Sequence, residues 1–143
     1  MTDELTQIGG RASFCEAAHY GELAATGEGS TVPWAYFLQP DLAAVLFADR
    51  FWAEINARLG TLLDRAEEDE LDPQLSGKLA DEIERLARDR YRGGVVRREV
   101  AWRSDGNPIM VTLPAATLAE ALEGLVAFLR TASRQGRALI ASL

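Results

Sequence analysis

The last third of the chain, residues 95–143, constrains the fold more tightly than any other stretch. Between Val95 and Arg103, Val96, Val100 and Trp102 alternate with Arg97, Glu99 and Arg103. That is the period of a half-buried strand. Ser104-Asp105-Gly106-Asn107-Pro108 supplies a reversal in which Asp-Gly takes the positive-φ conformations. Ile109, Val111 and Leu113 then line one face of a return strand. Thr117 and Glu120 read as a T-x-x-E capping box at a helix start. Behind them Leu118, Ala121, Leu122, Leu125, Phe128, Leu129 and Ala132 recur at helical spacing, and Gly136 stands where a left-handed C-cap belongs. Ala138 to Leu143 is apolar and long enough for a closing strand. The expected unit is hairpin, helix, strand, with a right-handed crossover if its two strands lie parallel in one sheet.

Upstream, Trp34 to Leu38 is aromatic and apolar, bounded by Pro33 and by Gln39-Pro40, and reads as a strand. Asp41 is read as the cap of the longest helix, whose stripe is Leu42, Val45, Leu46, Trp52, Ile55, Leu59, Leu62 and Leu63. Gly60 is the expected point of interruption. Asp72-Pro73 marks a second start, a cap with proline at the first helical position. Its stripe, Leu75, Leu79, Ile83 and Leu86, runs to Tyr91 before Gly93-Gly94. Two helices joined by a short polar turn are expected to pack antiparallel as a hairpin. Arg11 to Ala25, rich in Ala, Glu and Leu, is expected to form a short helix. Residues 1–10 are expected to be loosely ordered and 26–31 to be a flexible loop. The fold class that follows is α+β: one domain over 1–143, with a small mixed or antiparallel sheet packed against a helical hairpin and a C-terminal helix.

A chain of 143 residues buries about two-thirds of its unfolded surface as one domain. No apolar run approaches the ~20 residues of a membrane helix, and Met1-Thr2-Asp3-Glu4 lacks the features of a signal peptide. The single cysteine, Cys15, leaves no intramolecular disulfide, so a reducing, cytoplasmic setting is expected. The net charge of −7 is unevenly placed: residues 1–84 carry 17 acidic and 5 basic side chains, residues 85–143 carry 5 and 10. An acidic whole argues against nonspecific nucleic-acid binding, which draws its affinity from phosphate attraction. The near-exclusive use of Arg over Lys points to a GC-rich, bacterial genome rather than to chemistry.

Four constellations invite a chemical reading. Cys15 and His19 would share one face of a helix as a nucleophile pair or half a metal site, but no further Cys or His exists to complete a zinc site. Gly27-Glu28-Gly29-Ser30-Thr31 lacks the lysine and strand–helix context of a phosphate loop. The run Glu67, Glu68, Asp69 and Glu70 lacks the alternation of a calcium loop and reads as a solvated acidic surface. Arg85, Arg88, Arg90, Arg92, Arg97, Arg98 and Arg103 put seven guanidinium groups in nineteen residues, a composition suited to carboxylate or phosphate. Trp34, Trp52 and Trp102 read as core packing, with Trp102 the most exposed beside its turn.

No constellation supplies nucleophile, base and oxyanion donors together, and none calls for a metal or cofactor. The function expected first is a non-enzymatic protein-binding module, an adaptor or immunity-type inhibitor of a basic partner protein. Its candidate partner-binding residues are Glu67, Glu68, Asp69, Glu70, Arg88, Arg92 and Arg98. The alternative is a domain or enzyme binding an anionic small molecule at the arginine-rich 85–103 surface. Homodimerisation is compatible with either reading.

Overall fold

The computed structural model describes residues 12–17, 34–63 and 69–143. The expectations for residues 1–10 and 26–31, and for His19, Glu67 and Glu68, lie outside the described residues. In chain order the elements are β1 (Ala12–Glu16), β2 (Ala35–Leu38), α1 (Pro40–Ala48), α2 (Phe51–Leu59), β3 (Asp69–Leu71), α3 (Pro73–Arg90), β4 (Val95–Trp102), β5 (Pro108–Pro114), α4 (Ala115–Arg134) and β6 (Leu139–Ser142). They form an α+β fold with two antiparallel sheets, one ordered β2-β1-β6-β3 and the other the β4-β5 hairpin.

Ala12 to Glu16 is a strand, not the start of the helix its composition suggests. It pairs antiparallel with β2 on one side and β6 on the other, so ladder hydrogen bonds on both edges override the helical preference of Ala and Glu. Phe14 enters the main core, while Cys15 points to the opposite sheet face beside Ala35 and Phe37. β6 belongs to this sheet and not to that of the hairpin, and it runs antiparallel to both neighbours. The condition for a parallel right-handed crossover is therefore not met.

The expected first helix is broken at Asp49-Arg50 rather than at Gly60. Three and four residues beyond Val45 and Leu46 stand Asp49 and Arg50, which a continuous helix would carry into the core. The chain instead takes a left-handed conformation at Arg50 (φ 56°), which returns Phe51, Trp52 and Ile55 to the interior. α1 starts at Pro40 with Gln39 as N-cap, so Asp41 lies inside the first turn and is not the cap. Gly60 (φ 72°) ends α2. Asn56, itself buried, holds the following turn: its Nδ2 donates to the Leu63 carbonyl at 2.7 Å, and its Oδ1 accepts from Leu63 N at 2.8 Å and from Thr61 Oγ1 at 2.6 Å.

α3 begins as expected, with Asp72 Oδ1 accepting from Leu75 N at 2.7 Å and Pro73 at the first helical position. α4 starts three residues earlier than the capping box implies. Pro114 is the N-cap and no side chain caps it, so Thr117 and Glu120 already stand within the helix. Its far end closes in a Schellman arrangement, with Arg137 N donating to the Ala132 carbonyl at 2.9 Å and Gly136 at φ 68°. α3 packs lengthwise on α4, while α2 meets α3 through Arg58 and Glu82 at 2.7 Å. Leu79, Ile83 and Leu86 face Leu118, Leu122, Leu125 and Leu129 in a core shared with Phe14, Phe51 and Ile55. On the same layer Trp34 stacks on Phe128 at 4.1 Å, and the Tyr36 hydroxyl donates to the Ala121 carbonyl beside Gly124.

The hairpin carries one departure from simple alternation. Its register shifts between Glu99 and Ala101, so Ala101 opposes Ile109 and Trp102 opposes Pro108. The extra residue reverses the faces beyond it. Trp102 therefore leaves the face of Val96 and stands 64 % exposed.

Candidate functional site

Most arginines of the 85–98 stretch already face carboxylates of the same chain. Arg85 and Arg58 converge on Glu82 at 3.0 and 2.7 Å. Arg88 meets Glu84 at 3.5 Å, and Arg92 approaches Asp89 at 4.0 Å. Arg90 pairs with Glu54 and donates to the Asp49 carbonyl at 2.8 Å. From α4, Arg130 bridges to Glu84 and Asp81 at 3.1 Å each. Burial raises the Glu82 carboxyl, but its bonds from Arg58 and Arg85 outweigh that and hold it below the usual range. The Arg130 hydrogen bond does the same for Glu84. Helical spacing explains the local pairs, since residues three or four apart share a face.

Asp49 is the hub of a second cluster. Its Oδ1 accepts from Arg98 Nε, and its Oδ2 accepts from the Tyr91 hydroxyl at 2.8 Å. Burial, reinforced by Asp49, pushes the Tyr91 hydroxyl well above its ordinary pKa. These bonds clamp the α1–α2 turn to the end of α3 and to β4. Arg98 thus stands in the structure as a tie between elements, whereas Arg88 and Arg92 are exposed at 77 % and 80 % of their side chains.

Arg88 and Arg92 border a groove of about 400 Å³ between α3 and α4. Its floor is Ala87, Tyr91, Leu122 and Val126, with Ala119 on the slope and Glu123 on the α4 rim. The small alanines open the trough, and charge lines its edges. Away from this groove's lining, β3 is the outer strand of the four-stranded sheet and carries Asp69 and Glu70. Glu70 is exposed. Asp69 is half-buried, and its Oδ2 is enclosed without a hydrogen-bond partner. The structure therefore separates the candidates: Asp69 and Glu70 on a sheet edge, Arg88 and Arg92 on a helix groove, and Arg98 in an internal clamp.

Cys15 sits on a strand and is fully buried, so the i, i+4 helical geometry that would pair it with His19 does not exist. Among the described residues no three His, Cys, Asp or Glu side chains gather as a metal site. No helix among them is long and apolar enough to cross a membrane.

No family model, curated protein or solved structure matches the chain.

The reading of the site thus rests on its own geometry. Sequence inspection missed Asp49, Asn56 and Tyr91, which organise the turns and the clamp. For Asp49 a signal was present, since a charged residue on the inward stripe of a helix must end it or be paired. Glu123 escaped notice because a lone acid on an exposed helix face carries no pattern.

Proposed function

We propose that this chain is a protein-binding module that meets a basic partner through its acidic surface. One observation supports the reading above all: Arg85, Arg88, Arg90, Arg92 and Arg98 each face a carboxylate within the chain. With those five arginines facing carboxylates of the same chain, the net charge of −7 falls on the remaining acids. Asp69 and Glu70 on the outer strand β3 belong to the most acidic run of the sequence. A basic partner approaching that edge is steered by long-range attraction before any contact forms.

The alternative, an anionic ligand at residues 85–103, draws support from the groove beside Arg88 and Arg92. An anion there competes with Glu84 and Asp89 for the same guanidinium groups, which weakens the case for it. Affinity capture from the native host separates the two. Wild-type protein is compared with a variant in which Glu67, Glu68 and Glu70 become Gln and Asp69 becomes Asn, and with Arg88→Gln/Arg92→Gln. The expected result is a captured basic protein that the acid-neutralised variant loses and the arginine variant keeps. Loss in the arginine variant alone would put the anionic-ligand reading first.

A further inference from the structure

The outward face of the α3–α4 pair carries a charge pattern that its own contacts do not use. Arg88 projects from the last turn of α3, Arg92 from just past its end, and Glu120 and Glu123 from α4, all four exposed. Arg88 and Arg92 pair only with carboxylates of α3, Glu84 and Asp89. Glu120 and Glu123 have no ion-pair partner among the described residues. The register of the two helices can be read from two crossings. A Cβ at Gly77 would stand 3.1 Å from the Ser133 hydroxyl, and Arg130 reaches Asp81 and Glu84. Equal rise along two antiparallel helices then puts Arg88 level with Glu123, and Arg92, just past the end of α3, lines the groove with Ala119, next to Glu120.

We infer that this face is a two-fold interface with a second copy of the chain. A two-fold axis parallel to the helices, lying over the groove, lays α3 of one copy on α4 of the other and leaves every level unchanged. Arg88 of each copy then meets Glu123 of its mate and Arg92 meets Glu120, each contact made twice, as an isologous interface requires. The groove floors of Ala87, Tyr91, Leu122 and Val126 face one another across the axis. Each α3 also lies antiparallel to the α4 it covers, which opposes their dipoles favourably. An axis perpendicular to the helices would instead lay α4 on α4, setting carboxylates against carboxylates. A single peptide could also fill the groove, but a second copy brings the complementary charges to the matching levels by symmetry alone. The contacts are peripheral ion pairs around a small apolar centre, so the dimer is concentration-dependent and salt-sensitive.

Sedimentation velocity on the full chain tests this with two charge variants, Arg88→Glu/Arg92→Glu and Glu120→Arg/Glu123→Arg. Wild type is expected to dimerise, with a dissociation constant that rises on the order of tenfold as the Debye length falls from ~10 Å at 0.1 M salt to ~3 Å at 1 M. Each variant alone presents like charges to itself and is expected to be monomeric. An equimolar mixture restores complementarity at both contacts, so a dimer of one of each is expected to reappear. Circular dichroism confirms that both variants are folded, and the salt series on wild type stands apart from either substitution. A wild type that stays monomeric, a dimer indifferent to salt or to the charge variants, or a mixture that stays monomeric overturns the inference. Because β3 lies outside this face, failure here leaves the basic-partner reading untouched, and loss of the captured partner leaves the dimer untouched.

Discussion

At the scale of single residues, the buried polar side chains carry the most specific information. Asn56 satisfies three groups of the turn that follows α2. Replacing it with Ala leaves the Leu63 amide and carbonyl enclosed without partners, which is expected to cost about 2–4 kcal/mol. Urea unfolding measures this, and a midpoint equal to wild type would show that water replaces the amide at no cost. Tyr91 makes a pH-dependent contribution. Its folded pKa is raised, so above pH ~10 the unfolded chain gives up the phenolic proton while the folded chain retains it. The unfolded state then binds fewer protons, and stability falls as pH rises. Wild type is expected to lose stability between about pH 9.5 and 11 more steeply than Tyr91→Phe, which has no proton to lose. Parallel pH curves for the two proteins would contradict the Tyr91–Asp49 assignment. Neither role was legible in the sequence, because a polar residue on an inward stripe does not announce what it bonds.

At the scale of elements, legibility followed local chemistry. The Asp72-Pro73 start of α3 and the Gly136 end of α4 were readable because a cap is satisfied within a few residues. The hairpin and the strand at Ala35–Leu38 were readable from alternation and from their bounding prolines and glycine. What escaped were choices made by distant partners. β1 is a strand because β2 and β6 flank it, and no local signal outweighed its helical composition. The bulge before Ala101 likewise depends on how β4 meets β5, and it carries Trp102, already expected to be the most exposed of the three tryptophans, off the face of Val96. α4 offers the clearest test of the core. Leu125 is fully buried against α3 and the sheet, so Leu125→Ala is expected to destabilise by about 2–5 kcal/mol. An unchanged thermal melt would mean that the helix presents a different face inward.

At the scale of the whole molecule, charge is arranged so that the two halves of the sequence partly neutralise each other. The basic surplus of residues 85–143 meets acids from earlier elements: Arg98 with Asp49, Arg90 with Glu54, Arg130 with Asp81 and Glu84, and Arg137 with Glu16. The charge asymmetry visible in the sequence is compatible with internal complementarity between the two halves or with a basic face. Only the fold, by placing α3 between α2 and α4, favours the first. The acids left over define the proposed function, and steering by them acts on encounter rather than on the lifetime of the complex. Stopped-flow association with the captured basic partner, at two salt concentrations, tests this most directly. Neutralising Glu67, Glu68, Asp69 and Glu70 is expected to slow association and flatten its salt dependence while dissociation changes little. Association that keeps its rate and its salt dependence in that variant, but collapses in Arg88→Gln/Arg92→Gln, would contradict the proposal.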